Sequence, residues 1–288
     1  MGRGGTRGVG RPDRGGVERE FTDAERLEHS LRPVRERHFD PELPDDVEAS
    51  ELHPGARNEL KTLDKELAEI VAKHLAMVAR LIDDDPKLAN EHAISAMRKA
   101  GRIPVTRETY AITSYVLEDY ATALRELRTY RRLSGSQLQL ALMIDCERAL
   151  GRPEKAIETG REVDVSKLPV DQQVQVAIAL SGARLDLGQP LQALYELEIE
   201  QLQPNQAYSW SPELFAAYAT VLEDLGRFDE AKKWQERAVL AEDALVEHAS
   251  DGSVEVFEIL EDDAQENSSA VSTVVTQDKP EAAEGEKS

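Results

Sequence analysis

Three seven-residue stretches align without gaps and decide the fold class: Leu150-Gly-Arg-Pro-Glu-Lys-Ala156, Leu187-Gly-Gln-Pro-Leu-Gln-Ala193 and Leu225-Gly-Arg-Phe-Asp-Glu-Ala231. A weaker copy, Leu117-Glu-Asp-Tyr-Ala-Thr-Ala123, precedes them, and successive copies are 33, 37 and 38 residues apart. Recurrence at a nearly fixed period of this length is typical of repeat architectures. The sequence therefore predicts a series of similar structural units.

Each stretch combines the end of one helix with the start of the next. The leucine closes an apolar stripe, and the following glycine suits a left-handed C-cap. Proline or an aromatic residue then begins the second helix, and the alanine is small where two helices cross closely. Because such a helix pair cannot bury its own apolar face, several pairs must stack to form a core.

The rest of the body, from about residue 54 to residue 247, also has a helical pattern. Its first long stripe repeats at steps of three or four residues and consists of Leu63, Leu67, Ile70, Val71, His74, Leu75, Val78 and Leu81. Asp85 and Pro86 have the residue types of an N-cap and a first helical position. No window alternates with period two, so we expect no strands in the body. The predicted class is all-α.

The copy at 212–245 resembles the tetratricopeptide repeat (TPR). The residues that match the large, small, glycine, aromatic and alanine positions of that family are Phe215, Tyr218, Ala219, Leu222, Gly226, Phe228, Ala231 and Ala238. The resemblance covers about residues 88–247. It implies an α-solenoid of stacked antiparallel helix hairpins with a concave groove and, as for the family generally, binding of a protein or peptide.

The two middle copies depart from the TPR pattern. Pro190 and Glu200 replace the aromatic residue and the late alanine in one copy, and Pro153 and Val163 stand there in the other. The long N-terminal helices and low-complexity ends are also similar to those of cytoplasmic TPR-like proteins of high-GC, actinobacterial-type bacteria.

The two ends of the chain differ in composition from the body. Residues 1–21 form an Arg/Gly-rich arm that we expect to be disordered, and 22–53 suggest a linker with a possible short helix from Thr22. The TPR-like solenoid is assigned to 54–248. The tail, 249–288, is acidic and predicted to be disordered, apart from an apolar island at 254–260 that could dock on the body or on a partner.

Composition excludes several classes of function. The formal charge of −21 argues against a general DNA-coating role, because binding to phosphates needs clustered Lys and Arg. The single cysteine excludes an internal disulfide framework and a Cys-rich zinc site. No apolar run reaches the roughly 18–20 residues that span a bilayer, and no apolar signal segment stands at the N-terminus. We expect a cytoplasmic protein.

The sequence offers no recognisable catalytic or metal-binding motif. The six histidines are not in a metal-ligand spacing, and no phosphate loop or nucleophile elbow follows a strand. His74 lies on an apolar stripe and Cys146 lies in a helix, so both are interpreted as core residues. We predict a protein without catalytic residues, cofactor or metal.

A basic stretch is the strongest candidate for a binding site. Residues 98–132 carry eight Lys and Arg against four acids, and Arg125, Arg128 and Arg132 share one helix face while Leu124 and Leu127 face the core. Since guanidinium groups bind carboxylates bidentately, this face could bind an acidic peptide or a carboxyl terminus of another protein. The alternative is a solvated face that neighbouring acids balance.

Three further interpretations stay open. The acidic tail could occupy the basic face and compete with a partner. The Arg/Gly arm could contact RNA while the solenoid recruits a protein, although an inert arm is the alternative. Trp210 and Trp234 could pack in the last repeat or anchor a partner in the groove. The favoured function is a non-enzymatic adaptor that binds another protein, with an undetermined oligomeric state.

Overall fold

The computed structural model describes residues 38–249 and 256–258. Eleven α-helices lie in these ranges: α1 (Pro54–Leu60), α2 (Lys65–Leu81), α3 (Pro86–Ala100), α4 (Pro104–Val116), α5 (Tyr120–Ser134), α6 (Leu140–Ala149), α7 (Pro153–Arg161), α8 (Val170–Asp186), α9 (Pro190–Leu197), α10 (Ser211–Asp224) and α11 (Phe228–Ala249). The predicted all-α class is confirmed. The contacts divide the chain into Met1–Phe39 and Asp40–Ser288, and all the packing below lies within the second unit.

Several predictions concern residues outside the described ranges. They are the disordered arm at 1–21, the short helix from Thr22 and the disorder of the tail at 250–255 and 259–288. In the described ranges, no helix combines the length and the apolar character needed to cross a bilayer.

The four seven-residue copies adopt one and the same turn. Gly151, Gly188 and Gly226 have φ angles of 72°, 67° and 74°, and Glu118 takes the equivalent place with a φ of 61°. In each turn this residue donates its N–H to the carbonyl three residues earlier, and the next residue donates to the carbonyl five residues earlier, over 2.8–3.0 Å. These are the two hydrogen bonds of a Schellman C-cap, so the predicted left-handed cap is confirmed and also holds in the weakest copy.

The small positions and the predicted helix start are confirmed as well. The four alanines that close the copies are 0–1% exposed: Ala123, Ala156, Ala193 and Ala231. At the start of α3, the Asp85 carboxylate accepts a hydrogen bond of 3.1 Å from the Leu88 N–H, and Pro86 is the first helical residue. Local chemistry thus sets where these helices begin and where they pack closely.

The helices pack mainly against neighbours in the sequence. The pairs α2–α3, α4–α5, α6–α7, α8–α9 and α10–α11 are in extensive contact, α8 also packs on α6, and α10 also packs on α8. The core is divided accordingly into several clusters, for example one from α6, α7 and α8 and another from α8, α9, α10 and α11. These two clusters each join one helix pair to the next.

One short strand lies in the body, where the sequence predicted none. Strand β1 (Gln206–Tyr208) lies in the connection between α9 and α10 and pairs antiparallel with β2 (Val256–Glu258), with Ala207 opposite Phe257. Three residues are too few to produce a period-two pattern, and the paired strand is distant in sequence. The pairing places this part of the apolar island at 254–260 on the body, beside α11.

The segment before α1 is attached to α2. Val47 is fully buried and packs with Ala76 and Met77, while Arg80 forms ion pairs with Asp46 at 2.8 Å and with Glu51 at 2.7 Å. The described part of the stretch assigned as linker, from residue 40 to residue 53, therefore packs on the helical body.

Candidate functional site

The basic face predicted on α5 is present, and its inner side is buried. Leu124 and Leu127 are 2% and 0% exposed, which confirms that they face the core. On the opposite side, the side chains of Arg125 and Arg128 are 62% and 49% exposed. The helix geometry therefore orients these two arginines towards solvent over an apolar base.

Arg125 and Arg128 line a surface recess of about 580 Å³ at the junction of α5 with the turn between α6 and α7. We call it the basic recess, and its lining residues are Ala121, Leu124, Arg125, Arg128, Leu150 and Arg152. Arg132 is exposed on the same helix but does not belong to this lining. The structure thus brings together two of the three predicted arginines and adds Arg152.

A fully buried carboxylate, that of Glu147 on α6, holds two of these arginines. Its Oε1 accepts a hydrogen bond of 2.5 Å from Arg128 Nη2, and its Oε2 lies 3.0 Å from Arg152 Nε. The Oε2 contact is an ion pair without a well-directed hydrogen bond. Because a buried carboxylate is costly unless it is paired, Glu147 constrains both guanidinium groups.

Glu126 on α5 holds the third recess arginine, Arg125, in the same way. Its side chain is 5% exposed and accepts hydrogen bonds from Arg107 Nη1 at 2.6 Å and from Arg125 Nε at 3.0 Å. Arg125 also lies beside Tyr110. Burial raises the pKa of the Tyr110 phenol, and the Arg125 guanidinium opposes that rise.

The recess consequently keeps a cationic character. Among the described residues, four guanidinium groups contact two carboxylates, and Arg125 and Arg128 each donate a single hydrogen bond to their glutamate. A guanidinium group has five N–H donors in a planar fork, so donors remain for a ligand. Ala121 and Leu150 provide apolar surface beside them. This combination is suited to a short segment that carries both carboxylates and an apolar side chain.

No family model and no curated protein matches this chain. The interpretation of the basic recess therefore depends on its own geometry.

Sequence reasoning missed Glu126, Glu147, Arg107 and Arg152 as parts of the site. A usable signal was present for the two glutamates, since each stands on the buried stripe of an otherwise apolar helix face, Glu126 beside Leu127 and Glu147 beside Cys146. No comparable signal marks Arg107 and Arg152, because packing between different helices brings them to these carboxylates.

The other singled-out residues belong to the core. Cys146 is fully buried, and burial raises the pKa of its thiol to about 12, as expected for a packing residue. Trp234 packs edge-on against Phe215 and Tyr218, and Trp210 stacks on Tyr208. Both tryptophans therefore contribute to the packing of the last helix pair.

His74 is buried, as predicted, and a second buried histidine lies beside it. Nδ1 of His74 lies 2.9 Å from Nδ1 of this second residue, His92 on α3. In the described ranges, no three His, Cys, Asp or Glu side chains come close enough together to hold a metal ion.

Proposed function

We propose that this protein is a non-enzymatic adaptor that binds an acidic segment of another protein in the basic recess. The helix pairs would then form a TPR-like solenoid that presents this recess. The repeated C-cap turn and the contacts from each helix pair to the next support that architecture.

The main support for the proposal is the ion pairing of the recess arginines with buried carboxylates. Arg128 and Arg152 are fixed on Glu147, and Arg125 is fixed on Glu126. Because these arginine side chains are already ordered, they lose less conformational entropy when a ligand binds than free arginines would. The glutamates set the position of the charge without cancelling all of it.

The charge of the whole chain indicates the size of the ligand. A formal charge of −21 repels an extended polyanion, whereas a peptide of a few residues would interact mainly with the local cationic recess within a Debye length of about 8 Å. We therefore favour a short acidic peptide segment over RNA. The RNA alternative involves the arm at 1–21, outside the described residues.

The proposal can be tested with the labelled pentapeptide Glu-Glu-Leu-Glu-Glu and the full-length protein, by fluorescence anisotropy. Arg125→Gln should weaken binding roughly three- to tenfold, as expected for one lost charged contact of about 1 kcal/mol. Glu126 keeps its pair with Arg107 in this variant, so the fold should persist. Arg57→Gln, which changes an exposed arginine outside the recess, is the matched control.

The charge-reversed peptide Lys-Lys-Leu-Lys-Lys should not bind the recess. The proposal fails if Arg125→Gln binds the acidic peptide as tightly as the wild type does, or if Arg57→Gln weakens binding equally. Circular dichroism of each variant should remain that of the wild type.

A further inference from the structure

Strand β1 is held in place by its own surroundings. The Tyr208 N–H donates a hydrogen bond of 2.9 Å to Ser211 Oγ, which in turn donates to the Gln206 carbonyl over 3.3 Å. Ala207 and Ser211 are both fully buried, and Tyr208 stacks on Trp210 with their ring centroids 4.8 Å apart. The two hydrogen bonds and the ring stacking lie within residues 206–211 and do not involve β2.

The outer edge of β1 is the part that receives a second strand. Backbone groups of successive residues in a strand point to opposite sides. Since Gln206 and Tyr208 direct theirs at Ser211, the N–H and carbonyl of Ala207 face the other way, towards Phe257 in β2. An extended segment of the chain itself therefore occupies this edge.

An apolar groove lies between α10 and α11, and Ser209, the residue that follows β1, belongs to its lining. It has a volume of about 510 Å³ and is lined mainly by small and aliphatic side chains, including Ala216, Val239 and Val246. Val239 and Val246 are 49% and 70% exposed. Glu213 and Glu242 add two carboxylates to the lining. The groove thus offers apolar contacts with a negative rim.

The sequence of the tail segment does not complement the charge of this groove. Residues 255–263 contain Glu255, Glu258, Glu261 and two aspartates but no basic residue, whereas a segment with Lys or Arg would complement Glu213 and Glu242. Strand β2 begins after a connection of only six residues from α11, which gives it a high local concentration at β1.

We propose that β1 and the adjoining groove bind an extended segment of a partner protein in which apolar residues alternate with Lys or Arg, and that residues 256–258 are the built-in competitor for this edge. Main-chain pairing would supply affinity, as in other cases of strand addition, and the acidic rim would supply specificity. This surface is separate from the basic recess, and its partner has the opposite charge.

The test uses the full-length chain and a labelled peptide, GSVKVFKILKD, which is the 252–262 sequence with its three glutamates changed to lysine. In the variant Phe257→Pro, the proline removes a main-chain donor from β2 and so releases the edge. This variant should bind the lysine peptide about tenfold more tightly than the wild type does, since the tethered competitor is lost. Val274→Pro, a proline substitution later in the tail, should bind like the wild type.

Two further peptides separate strand addition from simple charge attraction. All binding measurements are made at about 150 mM salt. The lysine peptide with an N-methyl group on its phenylalanine nitrogen should bind at least tenfold more weakly, and the unchanged acidic sequence should also bind more weakly. Equal affinity of wild type and Phe257→Pro would overturn the proposal. Undiminished binding of the N-methylated peptide, or no binding of the lysine peptide to Phe257→Pro, would overturn it as well.

Discussion

Glu118 shows, at the scale of one residue, that the repeated turn can form without glycine. It has a φ of 61° at the place that glycine occupies in the other three turns. A side chain costs about 1 kcal/mol in this left-handed conformation, and yet the turn keeps both C-cap hydrogen bonds, 2.9 Å each. The backbone motif is thus more regular than the sequence that encodes it.

We expect Glu118→Gly to raise the free energy of unfolding by about 0.5–1 kcal/mol, because glycine adopts this conformation without strain. The higher conformational entropy of glycine in the unfolded chain offsets part of the gain. The reverse change, Gly188→Ala, should lower it by about 1 kcal/mol, since no atom lies within 4 Å of the added Cβ and only the backbone is affected. Urea denaturation followed by circular dichroism measures both. A destabilised Glu118→Gly protein would contradict this account of the turn.

Glu147 determines stability as well as charge in the basic recess. Replacing Arg128 and Arg152 by glutamine together should destabilise the fold by roughly 3 kcal/mol, because a buried carboxylate is left without a cation. Adding Glu147→Gln to that pair should restore most of the loss. Denaturant titration of the double and triple variants gives the comparison, and equal stability of the two would show that Glu147 is not held by these arginines.

At the scale of elements, the α2–α3 pair contains the buried contact between His74 and His92. Burial lowers the pKa of His92 from 6.5, so the folded state takes up a proton less readily than the unfolded chain. The contribution of this site to stability is therefore complete well above pH 6.5 and falls as the pH decreases through that value. Glu91 acts in the opposite direction, but burial has the larger effect.

The free energy of unfolding should accordingly decline between about pH 7.5 and about pH 5.5 in the wild type. In His92→Gln the decline should be smaller than in the wild type. Guanidinium denaturation across this pH range distinguishes them. An unchanged slope in His92→Gln would assign the pH dependence to other groups.

The elements could be predicted from the sequence because their determinants are local. Asp85 and Pro86 define the start of α3, and the Leu-Gly pairs define three of the four turns. Strand β1 could not be predicted in this way, since its partner strand is about 50 residues away along the chain. The basic recess was predictable only in part, because α5 carries Arg125 and Arg128 whereas Arg152 comes from the next helix pair.

At the scale of the whole molecule, a strongly acidic chain holds a small cationic recess. Its formal charge of −21 should disfavour acidic ligands at long range, while the recess arginines attract them at short range. Added salt screens the long-range repulsion and weakens the exposed ion pairs. The two effects oppose one another, so salt dependence alone is a poor test of the recess.

A change of sign at one exposed residue is a better test. Arg125→Glu reverses the charge of a side chain that is 62% exposed in the recess lining, and Glu126 keeps its pair with Arg107. We predict that this variant binds the labelled Glu-Glu-Leu-Glu-Glu peptide about tenfold more weakly than the wild type does, because repulsion replaces a charged contact, whereas Arg57→Glu, the same charge change outside the recess, binds it like the wild type. Unchanged binding by a folded Arg125→Glu protein would contradict the assignment of the basic recess as the binding site.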